Sequence, residues 1–155
     1  MNVGTAVLAG LVATLVMTVL MYAANITGMV KMDMPLMLGA MVAEPGSTAR
    51  LLGLGIHFMM GVIFALIYAA IWSGTGIAPS AATGLLFGLV HGLAAGVAMG
   101  AMPVMHPRMS ASASPDGRTL PSPGVFALNY GMMGAAGVLV LHLAYGLVLG
   151  LIYRP

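Results

Sequence analysis

The chain is 155 residues long, 61% hydrophobic and only 5% charged, with 22 Gly, 16 Met and no Cys, and its mean hydropathy is +1.07. Five Lys/Arg and three Asp/Glu cannot cover a water-soluble domain, in which about a quarter of residues are charged, so the bilayer is the solvent for most of the chain. The same composition excludes a disulfide framework, an Fe–S cluster and a thiolate zinc site, and its few dispersed basic residues make no nucleic-acid surface.

In chain order, the first apolar stretch runs from Val3 to Ala24. It has no basic n-region and is too long for the apolar core of a signal peptide, so it reads as a retained helix. Met29 to Glu44 follows, with Met at 29, 32, 34, 37 and 41; Pro35 to Ala43 reads as a short interfacial helix opened by Pro35 and anchored by apolar burial. Leu51 to Trp72 is the second apolar stretch, Ser73 to Ser80 a turn, and Ala81 to Met102 the third stretch. Residues 103–124 read as irregular, above all the Pro-rich Ser110 to Gly124. Val125 to Met133 reads as an interfacial or helix-extending piece before the last stretch, Gly134 to Tyr153.

None of the four stretches carries a charge, and each is long enough for a hydrocarbon core that takes about 20 helical residues. They are unbroken and lack the alternating polarity of a barrel strand, so helices are expected. The fold class predicted is an all-α membrane protein: a bundle of four transmembrane helices in one integral domain, residues 1–155. Lys31, Arg50, Arg108 and Arg118 fall in the two long connections and only Arg154 on the other side, which puts the connections in the cytoplasm and both termini outside.

An internal repeat is also legible. His57-x3-Gly61-x5-Ile67-Tyr68 matches His142-x3-Gly146-x5-Ile152-Tyr153, and Ala6, Gly10, Thr14 and Thr18 match Gly84, Gly88, Gly92 and Gly96. The expectation is two duplicated helical hairpins, about residues 1–72 and 81–153, inserted in the same orientation.

Candidate functional residues follow from this pattern. Gly84, Gly88, Gly92, Gly96 and Gly100 form a stripe without side chains along the third helix, a packing face for a neighbouring helix, with the first helix as its natural partner. Gly61 and Gly146 serve the same purpose on the second and fourth helices. The stripe's other use is a groove for a lipid tail, a quinone or a tetrapyrrole. His57 and His142 occupy equivalent positions inside the membrane, where ionisable side chains point into the bundle and pair, bind a ligand or move protons. As a pair they suit haem b or a metal such as copper; as single residues they suit interhelical hydrogen bonds. His91, which has no counterpart in the first repeat, reads as a hydrogen-bonded bundle residue. Met102, Met105, His106 and Met109 combine thioether and imidazole, a donor set for Cu(I), though methionine also serves as flexible apolar filler. No cofactor is demanded by any of these sets.

No intramembrane carboxylate, paired acids, Ser/His/Asp set or phosphate loop occurs, so no enzymatic activity is expected. At Lys31-Met-Asp-Met-Pro-Leu-Met-Leu-Gly39, His57 to Tyr68 and His142 to Tyr153 the chain resembles a family of small bacterial four-span membrane proteins classed as a domain of unknown function. That resemblance implies the fold and a bacterial inner membrane, and it supplies no activity. The function expected is a non-enzymatic accessory, structural or assembly role beside other membrane subunits or a second copy. A haem- or copper-binding protein and a small-molecule- or lipid-handling protein are the alternatives.

Overall fold

In a computed structural model, described for residues 1–110 and 112–155, the chain is mainly helical. The elements are α1 (Val3–Ile26), α2 (Met34–Gly39), α3 (Ser47–Thr75), α4 (Ala81–Met99), α5 (Met102–Met105), β1 (Met109–Ser110), β2 (Leu120–Pro121), a 3₁₀ segment (Val125–Tyr130) and α6 (Met132–Ile152). Helices α1, α3, α4 and α6 are long and apolar enough to cross a membrane.

Local chemistry sets the ends. α1 runs two residues beyond the expected Ala24 and closes where Gly28 takes φ +74°, its N–H donating to the Asn25 carbonyl at 3.0 Å. Gly76, φ +73°, ends α3 in the same way. Ser80 opens α4 with a reciprocal cap: the Thr83 N–H donates to Ser80 Oγ (3.2 Å) and the Ser80 N–H to Thr83 Oγ1 (3.0 Å). α4 stops at Met99, short of the expected Met102, where the chain tightens into a turn, the Gly100 and Ala101 N–H groups donating to the Val97 and Ala98 carbonyls at 3.0 Å each, and Pro103 then stands in the first turn of α5. α3 starts at Ser47 rather than Leu51, so Arg50 lies in its first turn, paired with Asp33 at 2.7 Å.

The chain forms two compact units. Unit 1 comprises Met1–Ala23, Phe58–Leu93 and Leu139–Pro155; unit 2 comprises Ala24–His57 and Ala94–Val138.

Unit 1 draws on all four long helices. Its core is built from small residues of α1 (Ala6, Ala9, Ala13), from Ala65, Tyr68, Ala69 and Trp72 of α3, and from Tyr145, Leu149 and Tyr153 at the end of the chain. Close helix approach comes from missing side chains. A Cβ on Gly61 would run into the Thr14 hydroxyl, and one on Gly10 would sit 2.7 Å from the Ala65 Cβ, so α1 lies directly on α3. A Cβ on Gly84 would meet the Gly146 carbonyl, and one on Gly88 would sit 2.5 Å from the His142 carbonyl. The atoms nearest this part of the glycine stripe therefore belong to α6 and not, as the sequence suggests, to α1. Glycine facing glycine permits the closest backbone contact, and α6 offers Gly146 and Gly150 where α1 offers alanine and threonine.

Unit 2 is made of short pieces around a methionine-rich core of Met32, Met37, Met99, Met109, Ala127 and Val138. Asp33 caps α2 by accepting the Leu36 N–H at 2.9 Å, and Pro35 sits in the first turn. The helix does more than lie at an interface: Gly39 abuts the Ala49 backbone and Gly53 abuts the Pro35 carbonyl, so α2 is packed on the start of α3. Within residues 103–124, expected to be irregular, β1 and β2 pair in parallel, with the Leu120 N–H on the Arg108 carbonyl and the Ser122 N–H on the Ser110 carbonyl, each 2.8 Å. Ala111, part of that same expectation, lies outside the described residues. The turn between the strands is tied by Asp116, which accepts from the Ser114 hydroxyl (2.5 Å) and the Arg118 N–H (3.2 Å); these bonds hold its carboxyl below the usual carboxylate range. In the 3₁₀ segment, Phe126 and Ala127 adopt φ of +53° and +55°, a conformation costing about 1–2 kcal/mol per residue.

Candidate functional site

The polar side chains inside unit 1 gather around two tyrosines and two histidines. Tyr145, buried on α6, donates its hydroxyl to the Gly61 carbonyl of α3 at 2.5 Å. Tyr68 of α3 lies 2.9 Å from the Phe87 carbonyl of α4 and 3.2 Å from His91 Nδ1. A carbonyl can only accept, so the single Tyr68 proton goes to Phe87 and the His91 Nδ1–H donates to the Tyr68 oxygen. That fixes His91 as the Nδ1–H tautomer and leaves Nε2 as the acceptor of the ring.

Aromatic contacts close the cluster. His91 and His142 meet edge to face with ring centres 4.7 Å apart, and Phe64 lies 4.0 Å from His91. Trp72 is stacked between Phe87 (5.2 Å) and Tyr153 (5.7 Å). Trp72 is 2% exposed, and no partner is present for its indole Nε1–H among the described residues. Near it, at the α3–α4 turn, Ile77, Pro79 and Pro155 help to line an open apolar depression of about 260 Å³.

His142 thus meets His91. His57 is half-buried on α3. Two signals for the observed cluster were present in the sequence. Tyr145 follows His142 by three residues, on the same helix face. Phe64 with His91, and Tyr68 with Phe87, lie at equal distances along the chain from the α3–α4 turn, as facing residues of an antiparallel hairpin do.

The Met/His set separates in unit 2. His106 is 5% exposed and both its nitrogens are engaged: Nδ1 accepts the Arg108 N–H at 3.1 Å, so Nε2–H donates to the Met37 carbonyl at 2.8 Å. It ties the α5–β1 connection to α2, and Arg108 adds a bond from its guanidinium to the Ala40 carbonyl at 3.0 Å. Met105 points away, 70% exposed. Met109 is in the buried cluster and Met102 packs against it, beside Met34 and Tyr130. Burial, and secondarily the Asp33 charge, hold the Tyr130 hydroxyl above the ordinary tyrosine range.

The glycine stripe is covered. In unit 1 Gly92 faces His142, whose Cβ would lie 3.0 Å from an added one. In unit 2 Gly96 receives the Phe126 ring, and an added Cβ on Gly100 would lie 2.5 Å from Val125. The absent side chain at Gly96 is therefore the space into which the left-handed turn at Phe126 delivers its ring. No group of three or more His, Asp or Glu side chains able to hold a metal ion occurs among the described residues.

No family model matches the chain, and no curated protein or solved structure compared with it is similar enough to count as a match. The functional reading rests on the residues themselves.

Proposed function

We propose that the protein is a non-enzymatic packing subunit of a bacterial inner-membrane complex, built from two copies of one helical hairpin, with both termini outside. The observation that carries this reading is how unit 1 uses its polar groups. Tyr145, Tyr68 and His91 tie α3, α4 and α6 to one another, while Thr14 and Thr18 donate back to carbonyls of their own helix, Gly10 and Thr14, at 2.7 Å each. In lipid such bonds hold helices in register, with van der Waals contact between small residues doing the rest. Tyr145, Tyr68, Thr14 and Thr18 donate to backbone carbonyls and His91 donates to the Tyr68 hydroxyl. The hairpin duplication is supported by matched use of matched residues: Gly61 and Gly146 each receive a neighbouring helix, and Tyr68 and Tyr153 are each buried with their hydroxyls engaged.

The outer faces of the helices are apolar, with Leu8, Leu15, Val19, Ile63 and Val90 exposed. These are the surfaces on which another membrane subunit or a second copy docks. A photo-crosslinking amino acid placed at Leu15 or Val90 in native membranes tests the reading. Adducts of protein mass are expected, and adducts to lipid alone from both positions contradict it.

A further inference from the structure

Unit 2 contains a side-chain set that the packing role does not require. Met32, Met37, Met99 and Met109 are buried in one cluster, and Met34 and Met102 pack against it. They come from three separate parts of the chain: α2 and the residues before it, the end of α4, and α5 with the strand after it. The cluster in unit 1 fills its space with alanine, leucine and aromatic rings, and only Met17 touches it. Methionine fills the irregular gaps between these short pieces, and the same convergence brings six thioethers from separate segments into one cluster.

We infer that this cluster is a binding site for a soft monovalent metal ion of the Cu(I) class, held by thioether sulfur from Met32, Met37, Met99 and Met109. Thioethers are soft, neutral donors that favour Cu(I) over hard cations. Methionine also has three rotatable bonds and a polarisable sulfur, so buried side chains can turn their sulfurs onto an ion without moving backbone. His106, which the sequence places among the ligands, is excluded because both its nitrogens already hold hydrogen bonds.

The test uses the full chain purified in mild detergent and Cu(I) alone, titrated without oxygen against a chromogenic Cu(I) chelator, with X-ray absorption at the copper edge. One copper per chain with a sulfur-only coordination shell is expected. Met37→Leu with Met109→Leu, near-isosteric changes, should weaken binding about tenfold or more with helical content unchanged, while Met105→Leu leaves it as it was. Loss of copper to the chelator, nitrogen in the coordination shell, or equal affinity in the double variant would overturn the inference. Should the double variant unfold, Met32→Leu and Met99→Leu singly give the same reading, and the absorption spectrum of the unaltered protein decides by itself.

Discussion

Unit 1 and unit 2 both hold helices together where the hydrophobic effect gives little help, and they do it with different side chains. In unit 1 the fit is made by subtraction: alanine and glycine let α1 meet α3 and α4 meet α6, and a few phenol and imidazole hydrogen bonds lock the register. In unit 2 the elements are short, and the gaps between them are filled by adaptable methionine and pinned by polar ties at His106, Arg108 and Asp33. Long regular helices can be matched backbone to backbone, whereas pieces of four to six residues meet at irregular angles and need a filler that bends.

Substitutions in each unit can break or sharpen this contrast. The largest effect belongs to the glycine contacts: Gly84→Leu or Gly146→Leu should destabilise the protein by about 3 kcal/mol or more, because an added Cβ on either meets backbone. Gly55→Leu, where an added Cβ meets nothing within 4 Å, should be near neutral. Denaturation in mixed detergent compares them. His106→Ala should cost about 2 kcal/mol by leaving the Met37 carbonyl and the Arg108 N–H without this partner, and hydrogen exchange should rise in α2 and at β1 before it rises in α1.

Smaller changes separate the two kinds of polar tie. Tyr145→Phe should cost about 1 kcal/mol through loss of the bond to Gly61. Asp33→Ala should cost a similar amount, about 1 kcal/mol, from the lost helix cap, while Arg50→Ala, which breaks a largely solvent-exposed ion pair, should cost about 0.5 kcal/mol.

The smallest effects are with pH. Asp116 has a depressed pKa, so its contribution is present above the unfolded carboxylate value and is lost as pH falls through the folded one. Tyr130 has a raised pKa, so its contribution is full below the unfolded value of about 10 and declines as pH rises past it. NMR titration of the two residues checks both directions.

The sequence made the long helices legible because uncharged apolar runs of this length have one stable form in lipid. Their ends were less so: Gly28, Gly76 and Pro103 were visible as residues, but which of them stops a helix depends on local hydrogen bonds. The stripe from Gly84 to Gly100 was readable as a run of small residues, yet its neighbours were not, since side-chain volume on α6 and the turn at Phe126 decide what covers it. Repeat symmetry drew attention to His57 and His142; that His91 also meets His142 follows from the antiparallel α3–α4 hairpin and its packing on α6, which symmetry alone does not give. The methionines of residues 29–41 and 102–109 were visible as two clusters; that Met99 joins them, and that His106 is bonded to the Met37 carbonyl, depends on packing that only the fold sets.

Native mass spectrometry of the protein extracted from its own membranes in mild detergent tests most directly whether this bundle packs beside other membrane proteins. A species carrying additional protein mass is expected; the bare chain alone, across several mild detergents, would contradict the proposed role.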